Sequence, residues 1–541
     1  MRPNVIIINP DQMRADSMRH LGNPAAYTPN LDALAAEGVS FSQAFCQNPV
    51  CVPSRCSFMT GLYPHTLGHR TMGHLQQPWE ENLFGDMKRA GYYTASSVRG
   101  DLMAGQYAKY HSALIDEYLP VLPGRRRPKM HSADRGAADS DTYFSFMNGI
   151  IPTDAPDEVF TNMDDMIVNG AVRFLKRRPK RKPFFMFLGL TAPHPPYNVE
   201  RKYYDLIDKA KLPPRVPTIR DGDGKPLMER GLRDALRVGD WDEARLDEIR
   251  AVYLAMAAKV DDQIGRVLAA LKEEGLYDDT AVLVFSDHGD YTGDFGIVEK
   301  AQNCFPDCLC NVPFLIKPPK GTAADPGVND ALVELTDVCA TVADMTGAKI
   351  KLAHFSRSLL PAMADKTMPH REFVTCEGGR NLGEVHCMEY DPATHNPHNI
   401  YAPRMELQAR EDGTHGKATM LRTGQYKYIR RQQERDEFYD LTKGERFNLI
   451  DDPACQRQIA DMQAQMLDWY METCDTVPLR QDSRMPMAFV KNIVRAAKLP
   501  AFTGSLLAAW VRLTRQTPSQ FMGRLERLGE AFSGKGKRRG P

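Results

Sequence analysis

The stretch Asn48-Pro49-Val50-Cys51-Val52-Pro53-Ser54-Arg55-Cys56-Ser57-Phe58-Met59-Thr60-Gly61 decides how the rest of the chain is interpreted. Pro53 suits the first turn of a helix, where its missing N–H is no loss. We therefore expect Cys51 in the turn just before a helix N-terminus, where the helix dipole favours an anion and lowers a thiol pKa. Arg55, one turn later, adds a fixed positive charge. Taken alone, C-x-P-S-R is equally typical of a small buried cysteine beside a proline-started helix.

Polar side chains follow three apolar runs that are typical of strands buried on both faces of a sheet. Val5–Ile8 precedes Asp11 and Gln12, Phe184–Leu190 precedes His194, and Ala281–Phe285 precedes Asp287 and His288. In open α/β sheets, ligands bind at the carboxyl ends of the strands. The three strand ends and the helix at Cys51 therefore predict one site at one edge of one sheet.

The signature around Cys51 and the following Thr60-Gly61-Leu62-Tyr63-Pro64-His65 resemble motifs of the type I sulfatases, in the alkaline phosphatase superfamily. The resemblance extends over roughly residues 1–480, with the motifs in the family's order. It implies that a formylglycine-generating enzyme oxidises Cys51 to formylglycine. Residue 51 would then act as an aldehyde hydrate and not as a thiol.

The resemblance also implies a site for one divalent cation. The implied ligands are Asp11, Gln12, Asp287 and His288, with Cys51, as formylglycine, completing the shell. Many sulfatases have Asp-Asp where this chain has Asp-Gln, and a Gln carbonyl still ligates a hard cation with one negative charge fewer. The set is closer to phosphonate monoester hydrolases and choline-sulfatase-like enzymes, so both calcium and manganese remain candidates.

Five further residues match catalytic positions of the family. Arg55, Lys300 and Arg99 are expected to stabilise charge on the sulfuryl oxygens, and His194 to act as general acid toward the leaving alkoxide. Asp101 stands where the family usually has a histidine, and is the candidate base for the second hydroxyl of the hydrate.

The expected function is hydrolysis of a small anionic sulfate ester. One alternative is a phosphonate monoester or phosphodiester hydrolase with the same site, because sulfate esters and phosphate diesters carry the same single charge. A second alternative is a non-catalytic binding protein with a sulfatase fold. Departures from the family pattern at Arg99, Asp101 and Asn311 support that second alternative.

Composition narrows the class of protein. The 541 residues are 42% hydrophobic and have a formal net charge of zero, which argues against a nucleic-acid-binding protein.

The 11 cysteines are spread along the chain and do not indicate a disulfide framework. Cys304, Cys308 and Cys310 lie close together, but packed free thiols are favoured over a metal site there. No apolar leader or membrane span is evident, so the expected location is cytoplasmic.

The order of apolar runs predicts an α/β protein: a large, mostly parallel sheet flanked by helices, with a smaller C-terminal α+β subdomain containing an antiparallel sheet. The expected parts are a catalytic domain (1–370), the C-terminal subdomain (371–484) and a basic amphipathic helical tail (485–541). Long helices are expected at 245–271, 333–347 and 456–473. Residues 376–417 either reach over the cleft or form a surface loop.

The C-terminal tail is more basic than the rest of the chain. Residues 485–541 contain 11 Lys or Arg and 2 Asp or Glu. Phe521, Leu525, Leu528 and Phe532 recur at helical spacing. This pattern is compatible with an interfacial helix on an anionic membrane, a contact between subunits of a homo-oligomer, or a partly disordered extension.

Overall fold

The computed structural model describes residues 2–98, 100–120, 140, 143–145, 147–151 and 162–478. Contacts divide the chain into one compact unit that ends at Thr476 and a second that begins at Val477. The predicted tail at 485–541 and Arg99 lie outside the described residues. Within those residues, no helix combines the length and apolar character needed to cross a membrane. The cytoplasmic location stays a prediction.

Strands and helices alternate through most of the chain. The strands are β1 (Asn4–Asp11), β2 (Val39–Phe45), β3 (Tyr93–Ser96), β4 (Glu117–Tyr118), β5 (Met147–Ile151), β6 (Phe184–Pro193), β7 (Tyr197–Glu200), β8 (Thr280–Phe285), β9 (Phe314–Lys317), β10 (Gly327–Glu334), β11 (Val374–Gly378), β12 (Ala418–Arg422), β13 (Tyr426–Arg431) and β14 (Glu437–Asp440). The helices are α1 (Pro29–Glu37), α2 (Cys51–Thr60), α3 (Pro64–Leu67), α4 (Leu83–Arg89), α5 (Ala108–Leu114), α6 (Met163–Arg177), α7 (Arg201–Tyr204), α8 (Leu227–Leu236), α9 (Glu243–Glu273), α10 (Asp307–Cys310), α11 (Val338–Thr346), α12 (Leu360–Ala364), α13 (Ala402–Arg410) and α14 (Gln456–Thr473).

The main sheet has the strand order β10-β2-β9-β8-β1-β6-β3-β4 among the described residues. Strand β9 runs antiparallel to β2 and β8, and the other neighbouring pairs are parallel. The predicted mostly parallel sheet is confirmed. Strand β1 lies between β8 and β6, so the carboxyl ends of three strands that carry predicted site residues are neighbours.

The central strand β1 is buried on both faces. Val5 and Ile7 belong to one hydrophobic core, while Ile6 and Ile8 belong to another. Helices α2, α4 and α11 contribute to the first core, and α1 and α6 to the second. Alternating side chains of a strand point to opposite faces, so a continuous apolar run requires helices on both sides.

The C-terminal part forms the predicted antiparallel sheet. Strands β11 to β14 pair in sequence order, and α14 packs on them through Ile459, Met462 and Met466. The predicted helix at 456–473 is confirmed. The helix predicted at 333–347 begins later, at Val338, because Val333 and Glu334 pair with β2 as the end of β10. That apolar run is equally compatible with a strand, and sheet pairing decides it.

Gly38 provides a test of the packing between α1 and the sheet. A Cβ atom added there would lie 2.4 Å from the carbonyl oxygen of Ile316 and 2.9 Å from the Cα of Lys317. Because both atoms belong to the backbone of β9, the strand would have to move to accommodate the added Cβ atom. We expect Gly38→Ala to lower the free energy of unfolding by about 1–3 kcal/mol.

Urea unfolding of the variant and of Gly222→Ala measures this effect. A Cβ at Gly222 meets no atom within 4 Å, so that control should unfold like the wild type. Equal stability of the two variants would contradict the close approach of α1 and β9.

Candidate active site

Helix α2 places Cys51 deep in the protein. Val50 is extended (φ −140°, ψ 159°), and Cys51 is the first residue of the helix, where a preceding turn had been expected. Pro53 lies in the first turn, as predicted. Every residue of α2 is buried. The helix therefore fixes residue 51 against the carboxyl ends of the central strands.

Four predicted metal ligands converge at this point. The ligand atoms of Asp11, Cys51, Asp287 and His288 all lie within 4.8 Å of one another, and all four residues are buried. Asp11 ends β1, while Asp287 and His288 follow the adjacent parallel strand β8. The predicted convergence at one sheet edge is confirmed.

Hydrogen bonds aim the His288 lone pair into the cluster. Its Nδ1 lies 3.0 Å from the carbonyl oxygen of Gly289, which can only accept, so Nδ1 carries the proton. Nε2 then presents its lone pair 3.2 Å from Cys51 Sγ and 3.6 Å from Asp11 Oδ1. Fixing one ring nitrogen to orient the other is the usual arrangement for a metal-binding histidine.

Arg55 binds both carboxylates of the cluster. Its Nε donates to Asp287 Oδ2 at 2.8 Å, its Nη2 to Asp11 Oδ2 at 2.9 Å, and its Nη1 to the Gly100 carbonyl at 3.0 Å. Burial lowers the pKa of Arg55, but the two carboxylates outweigh it and raise the pKa above its ordinary value. Arg55 therefore remains charged and fixes the orientation of both acids.

The expected lowering of the Cys51 thiol pKa is wrong. Burial and the neighbouring Asp11 carboxylate raise the pKa of this thiol well above its ordinary value, although Lys300 and Arg55 act in the opposite direction. The sequence argument considered the helix N-terminus and Arg55 but not the two acids brought in by distant strands. The unmodified side chain is thus a protonated thiol, a poor nucleophile.

Gln12 lies at the site, with its amide held on both sides. Its Oε1 accepts from Lys300 Nζ at 2.7 Å, and its Nε2 donates to Asp290. Its backbone N–H donates to Asp287 Oδ1 at 3.0 Å, and its backbone has φ 69°. The structure brings Gln12 beside the four-residue cluster, while its amide oxygen faces Lys300.

Lys300 and His194 meet next to Gln12. Lys300 Nζ lies 2.9 Å from His194 Nε2 and 3.1 Å from Glu299 Oε1. His194 Nδ1 lies 2.7 Å from the carbonyl of Pro195, so its Nε2 is the accepting nitrogen. Burial and the Lys300 charge lower the pKa of His194 to about 4. His194 is therefore neutral near pH 7, and the proton resides on Lys300.

Sequence reasoning missed Tyr401, Glu299 and Asp290. Tyr401 immediately precedes α13, in the segment 376–417, and its hydroxyl donates to His194 Nε2 at 2.9 Å. Part of this segment therefore reaches the site, as one of the two alternatives stated. Asp290 follows His288 by two residues and receives bonds from Gln12 and Tyr197. Its closeness to Asp287 was a usable signal, whereas nothing in the sequence distinguished Tyr401.

Asp101 lies at the edge of the site. Its carboxylate is 3.6 Å from Arg55 Nη1, and its side chain is 47% exposed. It is therefore half exposed and pairs with the arginine that orients the two buried acids. Arg99, predicted to contribute a second cation, lies outside the described residues.

The donor set fits a hard divalent cation. It offers two carboxylates and one imidazole, with the side chain of residue 51 as the fourth group. Oxygen-rich sites of this kind suit calcium, magnesium and manganese. Arg55 supplies one positive charge against the two carboxylates, so one negative charge is left to attract a cation.

Comparisons with known proteins agree with this geometry. A family model described as Sulfatase matches residues 3–348. The chain is 28% identical over 411 residues to the Arylsulfatase of Clostridium perfringens, a match that covers 71% of this chain and 82% of the relative. It is 26% identical over 525 residues to the Multifunctional alkaline phosphatase superfamily protein PehA of Trinickia caryophylli, with 88% and 96% covered.

A solved structure has the same fold. The Phosphonate Monoester Hydrolase of Agrobacterium radiobacter superposes with a TM-score of 0.67 and 22% sequence identity, over 87% of this chain and 96% of that one. The predicted alkaline phosphatase-like architecture is confirmed.

Protonation of His194 should couple stability to pH. The ordinary pKa is 6.5, against about 4 in the folded protein. Between these values the unfolded chain binds a proton that the folded chain does not, so stability falls as the pH falls from 6.5 toward 4. From about pH 7 to about pH 5 this residue should contribute a loss of about 2 kcal/mol.

Urea unfolding of the wild type and of His194→Gln at both pH values measures that loss. The variant, which cannot titrate, should lose less stability than the wild type between the two values. An identical pH dependence would contradict a neutral, buried His194.

Proposed function

Because the chain belongs to the sulfatase family, we propose that the buried cluster around Cys51 hydrolyses a sulfuric ester through a formylglycine made from that cysteine. The observation that carries the proposal is the convergence of Asp11, Asp287 and His288 on residue 51. The substrate is a small anionic ester.

Formylglycine would supply two hydroxyls as its hydrate, one to attack sulfur and one whose deprotonation expels sulfate. A formylglycine-generating enzyme is the partner that this modification requires.

One divalent cation, calcium or manganese, would be held by Asp11, Asp287, His288 and residue 51, with Gln12 adjacent. Bound there, it would supply Lewis-acid stabilisation of negative charge. Arg55 orients the Asp11 and Asp287 carboxylates through one hydrogen bond to each, and its third hydrogen bond goes to the Gly100 carbonyl. In this proposal Arg55 acts on the substrate less directly than the sequence suggested, since all three of its nitrogens are already engaged.

Lys300 and His194 share the task of supplying a proton to the leaving alkoxide. His194 was expected to act alone as general acid, but its Nε2 accepts hydrogen bonds and its pKa is about 4. Burial lowers the pKa of Lys300, and the Glu299 carboxylate outweighs it and raises that pKa. The Lys300 ammonium group therefore holds the proton. The proton passes to the leaving alkoxide either directly or through His194 Nε2.

Asp101 is the proposed base for the second hydroxyl. It is the half-exposed carboxylate beside Arg55, so it can release the proton to water after each turnover. The proposed contribution of Arg99 to charge stabilisation rests on the sequence resemblance.

Phosphonate monoester or phosphodiester hydrolysis is the second candidate. It is favoured by Gln12, which stands where many sulfatases have an acid and binds Lys300 through its amide oxygen. Parallel assays with an aryl sulfate and an aryl phosphonate monoester decide between them by the ratio of kcat/KM values.

Cys51→Ala should lower the turnover of an aryl sulfate by at least about 1000-fold, because it removes the nucleophile. The matched control is Cys56→Ala, which removes a buried cysteine from the same helix without touching the cluster. The control should keep most of its activity. Turnover by Cys51→Ala close to that of the control would contradict the proposal.

Tyr401→Phe should lower kcat by about 3- to 10-fold with little change in KM, because it removes one of the two donors that position His194. Tyr390→Phe, in the same segment and with its ring tilted against that of His395, is the control. The steady-state constants of both variants provide the measurement. Unchanged kcat in Tyr401→Phe would show that this hydroxyl does not position the imidazole.

A further inference from the structure

Three cysteines that the proposed reaction does not use meet in the interior. Cys46 follows β2, Cys310 ends α10, and Cys376 lies in β11. Their Sγ atoms all lie within 4.8 Å of one another, and all three residues are buried. We name these residues the three-thiol cluster. It shares no residue with the cluster around Cys51.

The backbone holds the three segments in register. The N–H of Cys46 donates to the carbonyl of Cys310 at 3.0 Å. The N–H of Glu377 donates to the carbonyl of Gln47 at 2.9 Å, which fixes Cys376 beside Cys46. The cluster thus joins the main sheet to the C-terminal sheet. Its geometry is set by the main chain and not by flexible loops.

The sulfur spacing matches shared coordination of an ion. Cys310 Sγ and Cys376 Sγ are 3.7 Å apart. A disulfide needs about 2.05 Å, whereas two thiolates bound to one metal at about 2.3 Å in tetrahedral geometry lie about 3.8 Å apart. The observed separation therefore leaves room for a metal ion between the sulfur atoms with little movement.

The three thiols do not release their protons equally. Burial raises the pKa of Cys46, but hydrogen bonds from Cys310 and Cys376 outweigh it and lower the pKa to about 6. Burial raises the pKa values of Cys310 and Cys376 well above the ordinary value. A metal-binding thiol must give up its proton, so a bound ion would have to displace the protons of Cys310 and Cys376.

We propose that Cys46, Cys310 and Cys376 bind one soft, thiophilic metal ion that links the two sheets. Thiolate ligands select ions such as copper(I) and zinc over calcium or magnesium. Binding releases the thiol protons to solvent and changes no oxidation state. Among the described residues, the group contains three sulfur donors and no carboxylate or imidazole, which sets it apart from the harder site at Cys51.

The test uses full-length Cys51→Ala protein, so that residue 51 contributes no sulfur. The protein is produced in medium supplemented with zinc and copper, purified without oxygen, and dialysed against a chelator. Elemental analysis should find about one zinc or copper ion per chain. X-ray absorption at the edge of that metal should show sulfur neighbours at about 2.3 Å.

Cys376→Ser in the same background should lose that equivalent of metal. Cys339→Ser should retain it, because Cys339 is a buried thiol whose Sγ contacts only the Phe58 carbonyl among the hydrogen-bond partners described. If Cys376→Ser does not fold, the metal content of the Cys51→Ala protein and a shell of three sulfur neighbours decide the question, because the cluster of His74, His386 and Cys387 offers only one sulfur.

Three results would overturn the proposal. They are a Cys51→Ala protein without zinc or copper, a bound metal without sulfur neighbours, and a Cys310–Cys376 disulfide found by peptide mass spectrometry in the anaerobically purified protein.

Discussion

The site depends on the ion pairs of one fully buried arginine. Arg55 binds Asp11 from β1 and Asp287 from the end of β8, and none of the three side chains touches solvent. Two buried carboxylates this close repel each other, and leaving one unpaired is strongly destabilising. The guanidinium balances one negative charge and leaves the other for a cation. The same helix that carries Arg55 also carries Cys51, so the helix that forms these ion pairs also places the proposed nucleophile.

Around Arg55 and the two acids, distant parts of the chain contribute the other groups of the site. The ends of strands β1 and β8 provide the proposed metal ligands, the turn after β6 provides His194, and the C-terminal segment provides Tyr401. Lys300 connects these groups, because its ammonium group contacts Gln12, His194 and Glu299. The C-terminal part is therefore a component of the site as well as a packing partner. It brings a tyrosine that lies more than 200 residues from His194 in sequence within hydrogen-bond distance of the His194 Nε2.

Much of this arrangement could be predicted from sequence. Apolar runs ending in Asp11, His194 and Asp287 identified the sheet edge, because strand periodicity and the position of polar residues are local signals. The rest depends on long-range packing. The Cys51 pKa was predicted in the wrong direction, since the argument from the helix N-terminus and Arg55 left out burial and the repulsion from the Asp11 carboxylate. The neutral state of His194 follows from burial and from Lys300, and the role of Tyr401 from a loop whose course no local pattern specifies.

The central claim is that residue 51 is a formylglycine held by the Arg55-oriented acids. Peptide mass spectrometry across Cys51, on protein isolated from its native host, tests it most directly. The account predicts an aldehyde at residue 51 and an unmodified thiol at Cys56 in the same peptide. A thiol at residue 51 in every molecule of a preparation that hydrolyses sulfate esters would contradict it.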